Sequence, residues 1–186
     1  HCWRYRVRPI QAYLWCLAQY SHQVDVDGKY RDGRTDHHIP VTACCCIMTY
    51  GLTDKALQAA VENNARIMLC PGEHCYFDYP MAKGDMPEVN WGMPTTTLKD
   101  TYSLDPAWGH DKKFEENNLF GVAGTLWSEC ITTPERIYYQ AYPRAIALAE
   151  AGWSQQENRA WESFLQRMRP LANDMMRRGI SFSMEY

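Results

Sequence analysis

Two short apolar runs, residues 41–49 and 66–70, flank a segment with an apolar helical face, and this order constrains the fold more than any other feature of the chain. The first run contains Cys44-Cys45-Cys46-Ile47-Met48 and is apolar almost throughout, as strands buried on both faces of a parallel sheet are. Gly51 ends it. Thr53 or Asp54 can cap the helix that follows, which carries Ala56, Leu57, Ala60 and Val61 on one face until Asn63-Asn64 stops it. Residues 66–70 supply a second strand, terminated by Pro71-Gly72. Parallel strands need a long crossover rather than a tight turn, so this strand–helix–strand unit specifies a parallel α/β sheet.

The rest of the chain extends that pattern. Residues 80–118 read as one long irregular loop, punctuated by Pro80, Pro87, Pro94 and Pro106; loops of that length are typically functional or disordered. Residues 119–127 form a third buried strand containing Gly121 and Gly124. Thr133-Pro134 is suited to N-cap and first-turn positions of a helix that runs toward Glu150, with a kink expected at Pro143. Ser154-Gln155-Gln156-Glu157 reads as a capping box. Behind it Trp161, Phe164, Leu165 and Met168 share one helical stripe, a core-packing pattern, and Gly179 is a C-terminal stop. Residues 1–40 carry no assignment: 10–20 are apolar and fit a helix or a strand, while 25–38 are polar and turn-rich, with Asp27-Gly28 and Asp32-Gly33. A closed eight-stranded α/β barrel needs about 250 residues. With three strands and room for a fourth, this segment is expected to need further polypeptide to close, and to associate or aggregate if expressed alone because its sheet edges and apolar faces would be bare.

Charge and composition narrow the function. A net charge of −3 opposes the basic footprint of a nucleic-acid binder. No run of about 18 apolar residues is present to span a membrane. The start, His1-Cys2-Trp3-Arg4, is not a signal peptide, so any export signal is expected upstream. Eight cysteines invite a disulfide framework, but Cys44, Cys45 and Cys46 are consecutive and lie in an apolar run, where free cysteine behaves as a small hydrophobe. A zinc site wants CxxC or paired-histidine spacing, and the nearest cue is only His37-His38 followed by the cysteine triplet.

Catalytic groups of parallel α/β barrels sit at the C-terminal ends of strands. The second strand leads into Tyr76-Phe77-Asp78 and the third into Trp127-Ser128-Glu129, so each offers an aromatic followed two residues later by a carboxylate. In extended backbone such positions share a face. A ring packs against the apolar face of a pyranose, a carboxylate accepts from its hydroxyls, and a tyrosine hydroxyl can donate to an acetamido carbonyl. The same residues could equally be core rings and loop caps.

Ordered motifs decide between those readings. Pro71-Gly72-Glu73-His74-Cys75-Tyr76-Phe77-Asp78-Tyr79 resembles the Tyr-x-Asp segment of glycoside hydrolase family 20, the β-N-acetylhexosaminidases. Thr101-Tyr102-Ser103-Leu104-Asp105-Pro106 resembles the stretch that follows it, and Gly121-Val122-Ala123-Gly124-Thr125-Leu126-Trp127-Ser128-Glu129 is similar to the family's last-strand motif. Tyr142-Pro143-Arg144-Ala145-Ile146-Ala147-Leu148-Ala149-Glu150 resembles its closing helix, and Trp161-Glu162-Ser163-Phe164 its tail. The resemblance spans residues 41–186 and implies the C-terminal part, about strands six to eight, of a TIM (β/α)8 barrel. It implies exo-acting removal of terminal β-linked N-acetylglucosamine or N-acetylgalactosamine, with no cofactor, by a secreted, periplasmic or cell-surface enzyme. Catalysis in this family is substrate-assisted, the acetamido oxygen attacking the anomeric carbon to give an oxazolinium ion. Tyr76 would take the catalytic role of holding that oxygen, Asp78 and Glu129 would bind sugar hydroxyls, and Trp127 would wall the pocket.

Two departures stand against full activity of the segment. Where the family usually has tryptophan at the end of strand six, this chain has Tyr50. The family's acid–base pair is an Asp-Glu dipeptide, and none occurs here. The competing function is therefore a non-catalytic carbohydrate-binding remnant. A third reading, a thiol or metal protein built on His37-His38 and the cysteine triplet, would be tested by metal analysis.

Overall fold

A computed structural model describes residues 11–14, 23–24, 30–31, 47–48, 53–62, 66–85, 92–127 and 131–184. Its main sheet contains β1 (Gln11–Leu14), β4 (Ile47–Met48), β5 (Ile67–Leu69) and β6 (Leu119–Gly124), in the order β1-β6-β5-β4. All three pairings are parallel. Ile47 pairs with Ile67, Leu69 with Val122 and Leu14 with Gly124, with one register shift between Ile67 and Met68. Among the described residues the sheet ends at β1 and β4 and does not close. A separate antiparallel pair joins β2 (Gln23–Val24) to β3 (Tyr30–Arg31).

The expected crossover is present: α1 (Thr53–Glu62) connects β4 to β5. Its Leu57 and Ala60 are buried, but Val61 is 48% exposed and does not belong to the buried stripe. Asp54 lies inside the first turn, where its carboxylate accepts a 2.8 Å hydrogen bond from Trp108 Nε1. Of the predicted first strand only residues 47–48 are described.

The fourth strand comes from the segment left ambiguous by its composition. β1 lies beside β6, on the side away from β5. Nothing in the local apolar pattern distinguishes this from a helix, because short apolar runs are ambiguous and the pairing partner is more than a hundred residues away.

Residues 80–118 are more ordered than a single irregular loop. They contain α3 (Leu98–Tyr102) and α4 (Lys112–Asn117). Thr97 Oγ1 accepts from the Asp100 N–H at 3.1 Å while the Asp100 carboxylate accepts from the Thr97 N–H at 2.8 Å, a complete capping box. Asp111 caps α4 by accepting from Phe114 N. Prolines at 94 and 106 lie outside these helices and hid them from a reading based on breakers.

The helix expected to run from Pro134 to Glu150 is two helices, α5 (Pro134–Ala141) and α6 (Arg144–Trp153). Thr133 caps α5 through Arg136 N as expected. Tyr142 is extended, the conformation favoured before proline, and the Tyr142–Pro143 peptide is cis. The capping box at residue 154 does not form. Ser154 instead closes α6 by donating its N–H to Glu150 O, a 3-10 turn occupies Gln156–Asn158, and α7 (Trp161–Arg177) begins without a side-chain cap. Arg159 Nη1 reaches Tyr102 O and Leu104 O, which pins the chain extended just before α7. α7 ends as the sequence indicates. Gly179 has φ +73°, Ile180 N donates to Met175 O and Gly179 N to Met176 O, the paired bonds of a Schellman motif.

Two apolar clusters meet at α6. One joins α1, β5 and β6 through Leu57, Ile67, Leu69, Phe77, Val122 and Leu148. The other lies between α3, α6 and α7, with Leu98, Tyr102, Ala147, Phe164, Met168 and Phe182. Of the stripe on α7, Phe164 and Met168 are buried, and Trp161 and Leu165 pack at its margin.

Candidate active site

The C-terminal ends of β5 and β6 are carried beyond the regular sheet by a different device from the one the sequence pattern implies. β5 stops at Leu69, and a single helical turn, α2 (Gly72–Cys75), intervenes before Tyr76. Tyr76 then rejoins the sheet as an isolated parallel bridge to Thr125. Thr125 N donates to Cys75 O at 2.9 Å and Phe77 N donates to Thr125 O at 2.8 Å. Residues 77–79 turn, with Tyr79 N donating to Tyr76 O at 3.2 Å. Tyr76 and Asp78 thus belong to a turn rather than to a straight strand, and alternation along extended backbone does not describe their relationship.

Two of the five expected site residues, Tyr76 and Trp127, bring their rings together there, and a third, Asp78, is buried in the same turn. Tyr76 is 9% exposed and Asp78 is 5% exposed. The Tyr76 and Trp127 ring centroids are 6.5 Å apart at an edge-on 62°, and Tyr79 lies 5.2 Å from Tyr76 on another side. Burial, together with the charges of Asp78 and Glu73, raises the Tyr79 pKa, which keeps its hydroxyl protonated as a donor. The other two expected residues, Tyr50 and Glu129, lie outside the described residues, as do His37, His38 and the cysteine triplet.

The ring of Phe77, between the two expected sugar contacts, sits against bare backbone. A Cβ on Gly124 would lie 2.5 Å from Phe77 Cε2, 2.8 Å from its Cζ and 3.0 Å from Leu148 Cδ2. Gly124 is the residue that lets this ring close over β6.

The turn is held from below by α5 and α6. Arg144 is 0% exposed. Its Nη1 donates to Tyr76 O at 3.4 Å, Tyr79 O at 3.0 Å and Thr96 O at 3.0 Å, and its Nη2 donates to Phe77 O at 2.5 Å. Gln140, also fully buried, donates Nε2 to Asp78 O at 3.3 Å. The carbonyl of Gln140 accepts from Arg144 Nε and Nη2 at 3.2 and 2.7 Å. Carbonyls in the last turn of a helix lack intrahelical partners. α5 ends one residue beyond Gln140, so this carbonyl is available to fix the guanidinium. Burial pushes the Arg144 pKa down to about 9, while the charges of Asp78 and Asp85 pull the other way, so the group remains a cation at neutral pH.

With this geometry in hand, the relatives are informative. The catalytic-domain model of glycosyl hydrolase family 20 matches residues 29–156. The chain belongs to glycosyl hydrolase family 20. A β-hexosaminidase of Akkermansia muciniphila is 37% identical over 115 residues, covering 61% of this chain and 22% of that protein. A β-N-acetylhexosaminidase of known structure superposes with a TM-score of 0.67 at 32% identity, over 76% of this chain and 30% of its own. The Streptomyces plicatus N-acetyl-β-hexosaminidase in complex with Thio-NAglucal gives a TM-score of 0.65 at 25% identity, over 76% and 29%. This family-20 chain therefore spans between about a fifth and a third of the length of these relatives. Its open α/β sheet is part of a TIM barrel, with β4, β5 and β6 at about strands six to eight.

The other quoted motifs serve the framework. Tyr102 is buried and donates its hydroxyl to Glu150 Oε1 at 3.2 Å, and Asp105 accepts from the N–H groups of Ala107 and Gly109. Glu150 also forms a two-pronged ion pair with Arg167, both bonds 2.6 Å. Among the described residues no three His, Cys, Asp or Glu side chains are arranged to hold a metal ion, and no helix is long and apolar enough to cross a membrane. Sequence reasoning missed Gln140, Arg144 and Thr96. The only local signal was a lone arginine heading the apolar stretch Ala145-Ile146-Ala147-Leu148-Ala149, since a charge in such a setting is buried only when paired.

Proposed function

We propose that this chain contributes the acetamido-binding side of the active site in an exo-acting β-N-acetylhexosaminidase. The observation that carries the reading is the meeting of the Tyr76 and Trp127 rings where the ends of β5 and β6 are bridged, with Asp78 buried two residues after Tyr76, inside the segment matched by the family. In this reading the sugar ring stacks against Trp127, and Asp78, joined by Glu129, accepts hydrogen bonds from its hydroxyls. Tyr76 donates to the acetamido oxygen and holds it in line with the anomeric carbon. As that oxygen attacks, the glycosidic bond breaks, and a cyclic oxazolinium forms whose opening by water returns the retained product. Tyr76 contributes through positioning and through a donor aimed at an oxygen whose charge changes. Tyr50 would stack as a further wall. In this reading the leaving-group proton comes from a carboxylic acid, and because the Asp-Glu dipeptide typical of the family does not occur here, the acid is expected outside these residues. The same absence favours, as the second reading, a carbohydrate-binding module without hydrolytic activity.

Hydrolysis of 4-nitrophenyl N-acetyl-β-glucosaminide by the full-length polypeptide carrying these residues separates the two. Turnover that falls on the order of 100-fold with Tyr76→Phe supports the enzyme reading, a loss of the size seen when one transition-state donor is removed. Binding of N-acetylglucosamine without turnover selects the binding module. Turnover unaffected by Tyr76→Phe contradicts the assignment of Tyr76.

A further inference from the structure

We propose that Arg144 and Gln140 are positioning residues for the sugar site, acting through the backbone of the turn that bears Tyr76 and Asp78. The inference rests on the reading above that these two side chains contact the sugar.

The four consecutive carbonyls of Tyr76-Phe77-Asp78-Tyr79 all accept from two side chains more than sixty residues away in sequence: 76, 77 and 79 from Arg144 and 78 from Gln140. Tyr76, Phe77 and Asp78 are buried, so water is a poor substitute for these donors, and a buried carbonyl without one is costly. Beyond the bridge at Thr125 and the Tyr79 N–H bond to Tyr76 O, the turn has no backbone ladder of its own, and the carbonyls of residues 77, 78 and 79 depend on the side-chain donors. Its shape is therefore set by where the donors stand.

Those donors are themselves fixed. The guanidinium is planar with five N–H groups, and here Nε and Nη2 are anchored on Gln140 O while the outer edge faces the turn. Nη1 also reaches Thr96 O, which ties the start of the α3 region to the same group. The guanidinium carbon lies 5.1 Å from the Phe77 ring centroid, so the ring is confined between Arg144 and β6. A lysine has one nitrogen and three donors and cannot serve both the anchor and the turn. An apolar residue would fill the space and leave the carbonyls of Phe77 and Tyr79 without these donors. What the cation provides here, at the expense of burying a charge, is a single defined conformation for the residues on either side of Phe77.

The test measures N-acetylglucosamine affinity by calorimetry on the full-length polypeptide, for the unaltered protein, Tyr76→Phe, Arg144→Lys, Gln140→Leu and the double variant Tyr76→Phe/Arg144→Lys. Circular dichroism first establishes that each is folded at the assay temperature. Arg144→Lys is expected to weaken binding about tenfold and Gln140→Leu about threefold, the range of one hydrogen bond misplaced at the ligand. In the Tyr76→Phe background Arg144→Lys should cost about threefold or less, because part of what it misplaces is already gone. A purely structural role predicts a lower urea midpoint with unchanged affinity, or a full tenfold loss in both backgrounds, and either result overturns the inference. If Arg144→Lys does not fold, Gln140→Leu carries the test: folded with unchanged affinity, it overturns the proposal. If the unaltered protein does not bind, or Tyr76→Phe binds as well as it does, the sugar-site reading fails first and this inference with it.

Discussion

Replacing Gly124 by alanine should be expensive although it adds only one methyl group. The added carbon would sit 2.5 and 2.8 Å from two Phe77 ring carbons and 3.0 Å from Leu148 Cδ2. Favourable carbon–carbon separations are about 3.5–4.0 Å, so the shortfall against the ring is about 1 Å. β6 cannot retreat easily, because it is paired on both sides: Leu14 sits opposite Gly124 itself, and Leu69 is opposite Val122. The ring cannot tilt away freely either, since Arg144 lies over it and Phe77 N is bonded to Thr125 O. Overpacking in a fixed core costs about 1–3 kcal/mol. The smaller backbone entropy of alanine returns about 0.5–1 kcal/mol. A shortfall of about 1 Å puts the clash in the upper half of that range, about 2–3 kcal/mol, so the expected net loss is about 1–2.5 kcal/mol, read as a lower urea midpoint with an unchanged m-value. If the clash with Phe77 is the cause, Phe77→Leu should relieve it. The double variant should then be more stable than the sum of the single effects by at least about 0.5 kcal/mol. A Gly124→Ala protein within about 0.5 kcal/mol of the parent, or strict additivity with Phe77→Leu, would refute the packing argument.

Two other outcomes follow from framework contacts. Thr97→Ala removes one half of the capping box on α3 and should cost about 1 kcal/mol in denaturation, with Thr97→Ser close to neutral. Glu150 is held below its usual pKa first by its hydrogen bonds to Arg167, against an opposing effect of burial. Its pKa is depressed on folding, so its stabilisation is present above the unfolded value near about 4.3 and disappears as pH falls through the folded value. Glu150→Gln should therefore cost about 1 kcal/mol at pH 7, a modest figure because Arg167 is largely exposed, and the gap should close as the pH falls through the depressed folded-state pKa of Glu150. A stability gap that persists in acid would show that packing, not charge, is responsible.

The elements legible in the sequence were those whose signal is local. The N-cap at Thr133, the stop at Gly179 and the buried Leu57 and Ala60 of α1 each depend on residues within one or two turns of one another, and the structure has them. Val61 shows the limit of a stripe, since its position at the edge of the apolar face depends on what the sheet offers opposite. Ser154 fails as a helix cap for a similar reason: Arg159 is drawn to carbonyls of residues 102 and 104, so the chain turns there before the helix can start. β1 was ambiguous because a four-residue segment within a largely apolar stretch becomes a strand only through a distant partner.

The candidate site divides along the same line. Residue type at 76, 78 and 127 was enough to propose a ring and an acid facing a sugar, but the geometric reason given, alternation along a strand, is not the one the fold uses. A one-turn helix and a turn separate β5 from Asp78, and a turn can aim side chains in many directions. What narrows those directions is a set of carbonyl acceptors, which every residue has and which therefore leave no trace in composition or spacing. Their partners, Gln140 and Arg144, lie on helices whose break at Pro143 was visible, yet the break reads locally as a kink and not as the point that frees a carbonyl to orient a buried arginine. A residue whose role is to hold backbone can be found from sequence only by its cost, and a cation at the head of an apolar helix is that cost made visible.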